Sequence, residues 1–152
     1  MRIETERLFI RPISDGEIRT LIEGEKNDEL KKAYGEMLAG CLNEPKNRLW
    51  YTVWLITLKS EPETAVGDLC FKGLGADGTV EIGYGLRDGF CGNGYMTEAV
   101  KALCGWALGQ ENVVCVEAET DPDNAASQRV LASCGFVPTG AVGEEGPRFK
   151  LC

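Results

Sequence analysis

Glu81-Ile82-Gly83-Tyr84-Gly85-Leu86-Arg87-Asp88-Gly89-Phe90-Cys91-Gly92-Asn93-Gly94-Tyr95-Met96-Thr97-Glu98-Ala99 reads as a strand, a glycine-rich turn and the start of a helix. Alternation along the strand puts Val80, Ile82, Tyr84 and Leu86 on one face and Glu81, Gly83 and Gly85 on the other. Two glycines weaken a strand unless something approaches its backbone closely, so a carboxylate beside a bare strip marks either a ligand path or a bulge. In the turn, glycines let successive N–H groups face one point, and a helix start adds about half a positive charge. That arrangement suits a phosphate, although a plain tight turn carries the same letters.

Upstream, Thr5 to Pro12 reads as a first strand stopped by the proline, with Ser14 or Asp15 able to cap the helix that follows. Residues 15 to 44 are charged and helical. Ile18, Leu21 and Ile22 share one face, Leu30, Ala33, Tyr34, Met37, Leu38 and Cys41 form a second stripe, and Pro45 closes the region. Trp50 to Leu58, rich in aromatic and β-branched residues, reads as a strand. Val66 to Gly73 and Thr79 to Leu86 follow as two more, joined by an Asp77-Gly78 hairpin turn.

Downstream, Met96, Ala99, Val100, Leu103, Trp106 and Ala107 repeat as one helical face. Val113 to Glu119 reads as a strand, Ala125 to Cys134 as a short helix ended by Gly135, and Phe136 to Ala141 and Arg148 to Leu151 as the last strands. The block Asp121-Pro122-Asp123-Asn124-Ala125-Ala126-Ser127-Gln128-Arg129-Val130-Leu131 is the second informative constellation. Asn124 or Asp123 can cap the helix. Ser127 lies one and two turns from Val130, Leu131 and Cys134, so its hydroxyl faces either the core, where a small serine is tolerated, or a site.

A chain of 152 residues with 43% apolar side chains is the size of one domain, 1–152, and can bury a core without a metal or disulfide staple. No stretch approaches the roughly 20 apolar residues of a membrane span. Cysteines at seven positions, none paired at metal-ligand spacing, fit a reducing cytoplasm, and the absence of histidine removes the usual zinc ligand and triad base. The sequence therefore points to no metal. A formal charge of −8 disfavours nucleic acid and anionic membranes as partners and favours a cationic substrate.

Together, the phosphate turn and the Asn124 to Phe136 block resemble the two best-known motifs of the GNAT superfamily of N-acetyltransferases. Thr5 to Pro12 is similar to the opening strand of its ribosomal-protein-alanine branch. The resemblance runs from about Ile3 to Phe149. It implies a mixed α/β fold: a mostly antiparallel sheet of six to seven strands, splayed between the fourth and fifth, flanked by about four helices. It also implies acetyl-CoA as co-substrate, a small-molecule or peptide amine as acceptor, direct attack without an acyl-enzyme, and compatibility with a homodimer. By position, Leu86 and Arg87 would face the pantetheine arm, Gly92, Asn93, Gly94, Tyr95, Met96 and Thr97 the pyrophosphate, and Asn124 and Ser127 the cofactor's other side. Glu81 matches a carboxylate that serves as general base or orients the amine, and Ser127 is the candidate for protonating the thiolate.

Two positions depart from the family pattern. Gly89 stands where the turn commonly begins with Gln or Arg, which either lowers CoA affinity or leaves Arg87 to compensate. Leu131 stands where many relatives carry a tyrosine acid. Those departures keep a non-catalytic acyl-CoA-binding or sensor module as the alternative. A dinucleotide-binding domain fits less well, because Thr97 stands where its third glycine belongs and antiparallel strands precede the loop.

Overall fold

A computed structural model describes residues 1–152. Along the chain run β1 (Ile3–Glu4), β2 (Leu8–Pro12), α1 (Asp15–Gly24), α2 (Asp28–Asn43), a 3-10 segment (Pro45–Trp50), β3 (Val53–Leu58), β4 (Ala65–Leu74), β5 (Thr79–Leu86), α3 (Tyr95–Leu108), β6 (Cys115–Glu119), α4 (Ala125–Ser133), β7 (Val137–Val142) and β8 (Pro147–Leu151). All eight strands form one sheet in the order β1-β2-β3-β4-β5-β6-β8-β7, antiparallel except where β5 meets β6. The extra strand relative to the sequence reading arises because Thr5 to Arg7 break the opening segment, so β1 folds back on β2 through Ile3↔Ile10 and Glu4↔Phe9.

Local chemistry sets the element ends. Ser14 caps α1 with a full capping box, its hydroxyl taking the Glu17 N–H while Glu17 reaches back to the Ser14 N–H. Gly135 takes φ of 92° just beyond α4, as the end of that helix requires. Trp50 belongs to the 3-10 segment rather than to a strand. Pro45 opens that segment, and Trp50 turns into the core against Phe71 and Trp106, with ring centroids 4.9 and 5.1 Å apart. The gain from such aromatic pairs, about 0.5–1.5 kcal/mol each beyond burial, outweighs the strand preference of an isolated tryptophan.

Helices cover both sheet faces. Met96, Ala99, Val100, Leu103 and Ala107 of α3 pack with Val80, Ile82, Val116 and Leu131. On the opposite face α1 and α2 bury Ile18, Tyr34, Leu38 and Cys41 with Ile13 and Val53. The sequence did not signal one covalent feature. Cys115 at the start of β6 and Cys152 beyond β8 form a disulfide, with Cα atoms 4.3 Å apart. Antiparallel pairing of Val116 with Leu151 brings the next two residues face to face, which a separation of 37 along the chain conceals. No helix is long and apolar enough to cross a membrane.

Candidate active site

Strand β5 is the axis of the site. Its parallel pairing with β6 covers only Thr79↔Cys115, Val80↔Val116 and Glu81↔Glu117, so from Ile82 to Leu86 the β6 side of the strand has no strand partner. The opposite edge stays paired with β4 through Gly67↔Leu86, Asp68↔Gly85, Leu69↔Tyr84 and Cys70↔Gly83. A wedge of open backbone therefore leads from Glu81 toward the glycine turn. With β1 and β2 counted as one, this is the expected gap between the fourth and fifth strands.

At the open end, Gly89, Gly92 and Gly94 take positive φ of 89°, 82° and 76°. Gly94 precedes α3 and no side chain caps the helix. The first-turn N–H groups of Tyr95, Met96 and Thr97 have no earlier turn to bond to, an arrangement that suits an anion. Met96 offers only that N–H, since its side chain is in the core. The N-terminal strands brace the turn. Arg7 donates from Nη1 to the Asn93 carbonyl at 2.8 Å and from Nε to Glu98 at 2.8 Å, and it stacks over Tyr95 at 4.7 Å from the ring centre. Thr5 and the Arg7 backbone N–H also donate to Glu98. Burial raises the Glu98 carboxyl, but these donors overcome it and hold the group below its ordinary range.

At the closed end, Glu81 lies between two cations, with Lys72 Nζ at 2.8 Å and Arg148 Nη2 at 2.9 Å. Half-burial would raise its carboxyl, yet the two donors prevail and hold it below the usual value. Arg148 also bonds Glu117 at 3.2 Å and Glu119 at 3.0 Å, and its hydrogen bond to Glu81 is the main reason its guanidinium holds its proton more tightly than usual.

Across the wedge, Asn124 caps α4 by accepting the Ser127 N–H at 3.0 Å. Ser127 turns its hydroxyl to the phenol of Tyr84, Oγ to OH 2.8 Å, so a hydrogen bond links α4 to β5 over the gap. Alternation in the sequence places Tyr84 on the face away from the glycines but does not give this partner across the gap. Leu131 is fully buried.

On the other side of β5 lies a cavity of about 860 Å³ between the sheet and α1 and α2. Leu86 and Arg87, expected at the cofactor, line it together with Gly83 and Gly85, and Leu21, Leu30 and Met37 supply apolar wall. Tyr34 and Asp68, neither singled out from the sequence as functional, meet in this cavity with the phenol donating to Oδ2 at 2.6 Å. The stretch Ile82 to Leu86 thus has an unpaired edge toward β6 and borders this cavity on its other side.

Residues 5–137 match the family model described as an acetyltransferase (GNAT) domain. The chain belongs to the GNAT acetyltransferase family. An uncharacterised N-acetyltransferase, YoaA of Bacillus subtilis (strain 168), is 23% identical over 155 residues, covering 92% of this chain and 85% of that protein. The fold is shared with a ribosomal-protein-S5-alanine acetyltransferase from Vibrio fischeri, at 20% identity and a TM-score of 0.75 over 99% of this chain and 94% of the other. It is also shared with RimL, a ribosomal L7/L12 alpha-N-protein acetyltransferase solved in complex with coenzyme A, at 16% identity and a TM-score of 0.77 over 99% and 97%. The GNAT chain described here is accordingly an acetyltransferase, and its eight-stranded mixed sheet is the family's fold.

Proposed function

We propose that this GNAT enzyme, acting as one domain over residues 1–152, transfers an acetyl group from acetyl-CoA to a primary amine by direct attack in a ternary complex. The observation that carries this reading is the double exposure of β5. One edge of Ile82 to Leu86 opens on a wedge that ends at an uncapped helix start, and its glycine face opens on a separate cavity. Two substrates can then meet along one strand without an acyl-enzyme. Cys91, in the turn, has no histidine in the chain to activate it.

In this reading the Gly92 to Thr97 N–H groups hold the pyrophosphate, while the open β5 backbone near Leu86 and Arg87 pairs with the pantetheine arm. Asn124 keeps α4 in place, and Ser127, backed by the Tyr84 phenol, gives a proton to the departing thiolate. Catalysis is then largely positioning, with backbone N–H groups polarising the thioester carbonyl. The two cations on Glu81 keep it ionised, which supports an amine-orienting role over that of a base. Half of turnover or more retained in Glu81→Gln at neutral pH would remove Glu81 from the chemistry.

Calorimetric titration of the purified protein with acetyl-CoA, with NAD and ATP in parallel, tests the cofactor half. Saturable binding of acetyl-CoA alone, followed by acetylated product in a mass-spectrometric amine screen, is the expected result. Binding of NAD or ATP instead would overturn the reading.

A further inference from the structure

Three carboxylates that form no ion pair, Glu25, Asp68 and Asp88, line the cavity beside β5, and Asp68 is the one set against the side-chain-free strip of the strand. Asp68 is the register partner of Gly85, so the two residues lie side by side on the same sheet face. A Cβ built on Gly85 would meet nothing within 4 Å, which leaves room above that glycine for a group the size of an ammonium. Tyr34 occupies Oδ2 of Asp68, while Oδ1 accepts no hydrogen bond from the protein and is not sealed off as a buried orphan. Both residues line the cavity, and the Tyr34 ring is itself only 3% exposed, so the pair is fixed by packing rather than free to swing.

The contrast with Glu81 is chemical. Both Glu81 oxygens face cations, and an ion-paired carboxylate held low is a poor proton acceptor. Asp68 sits in the reverse situation. Burial pushes its carboxyl up, and Glu25 adds to that. The Tyr34 hydrogen bond and the more distant Arg87 oppose the rise without cancelling it. The remaining ionisable neighbours on its strand are Cys70, a thiol pushed up to about 11 by burial, and Lys72, which is committed to Glu81.

We infer that Asp68 is the catalytic residue that takes the proton from the acceptor's ammonium over Gly85, with Tyr34 positioning its carboxylate. The inference rests on the acetyl transfer proposed above. The acceptor enters as R–NH3+, and one proton passes to Asp68 and then to solvent. The freed nitrogen forms the N–C bond as the C–S bond breaks. A second proton, lost from nitrogen as the amide forms, balances the proton that the thiolate receives. Apolar walls from Leu21, Leu30 and Met37 fit an acceptor whose amine is carried on an aliphatic body.

The test is steady-state acetylation of n-hexylamine and spermidine by the full chain, with acetyl-CoA, between about pH 4 and 10, a range that spans the acidic limb from the ordinary carboxylate value upward. Asp68→Asn keeps the shape and can still accept from Tyr34. It is expected to lower kcat/KM for the amine by about 100-fold or more while leaving the calorimetric Kd for acetyl-CoA within about twofold. Tyr34→Phe removes a bond that favours the charged carboxylate, so the acidic limb of kcat/KM should move to higher pH. A merely structural tyrosine would lower activity without moving that limb. Asp68→Asn within about threefold of wild type, or an unmoved limb in Tyr34→Phe, overturns the inference and leaves acetyl transfer standing. A wild-type protein that binds no acetyl-CoA removes both, and one that binds it but acetylates neither amine overturns the inference while acetyl transfer to another amine stands.

Discussion

Replacing Gly92 by alanine isolates the backbone's contribution to the phosphate turn. Gly92 holds φ of 82°, and a Cβ there would touch nothing within 4 Å, so the substitution carries a conformational cost and no clash. For an L-residue in the left-handed region that cost is roughly 1–2 kcal/mol. It must surface somewhere. If the free protein keeps the turn, stability falls by that amount, or about 2–8 °C in Tm for a chain of this size. If the free turn relaxes, the cost returns when acetyl-CoA demands the native shape, and about 1.4 kcal/mol weakens Kd tenfold. The two losses therefore sum to roughly 1–2 kcal/mol however they divide. Gly105→Ala is the internal control, because Gly105 is exposed inside α3 with φ outside the positive range and open space at its Cβ. The same methyl there should stabilise by about 0.5–1 kcal/mol and leave Kd alone. Urea unfolding and calorimetry on both variants supply every term. A Gly92→Ala sum below about 0.5 kcal/mol would refute the claim that the turn's shape is what binds.

Glu17 is held at about 2 chiefly by the Arg11 hydrogen bond, so its stabilising contribution is complete above the ordinary value of 4.5 and is lost as pH falls toward 2. The gap in urea midpoint between wild type and Glu17→Gln should therefore be wider at pH 7 than at pH 3, and a constant gap would contradict the ion-pair account. Tyr84→Phe and Ser127→Ala each remove one side of a 2.8 Å hydrogen bond, at a net cost of about 0.5–1.5 kcal/mol. As neighbours in one unit they should slow turnover by similar factors, and the double variant should be little worse than either alone. Fully additive losses would mean that the two hydroxyls act separately.

Much of the architecture was readable because it is local. The bounds of β5 follow from its alternation and the Asp77-Gly78 turn, Ser14 is one of the two residues able to cap α1, and α4 ends at a glycine that takes positive φ. The 3-10 segment was not readable, since Trp50 and Tyr51 carry the letters of a strand and only packing against Trp106 decides otherwise. The site divides the same way. The turn glycines, Asn124 and Ser127 lie within short motifs, whereas Arg7 with Glu98, Tyr34 with Asp68 and Glu81 with Arg148 are 91, 34 and 67 residues apart. Nothing in spacing announces such pairs, because the sheet's order brings them together.

Arg148 has a role that its three hydrogen bonds do not convey singly. It projects from β8 to the point where β5 and β6 part company and ties Glu81 on one strand to Glu117 and Glu119 on the other. It works like the slider of a zip, fixing where the seam stops and the opening begins. That fastening is ionic and only partly shielded from solvent, so ionic strength acts on it more than on the apolar layers beneath. Charge thus ties the two strands at the apex of the cleft, and added salt should loosen that apex before it disturbs the core.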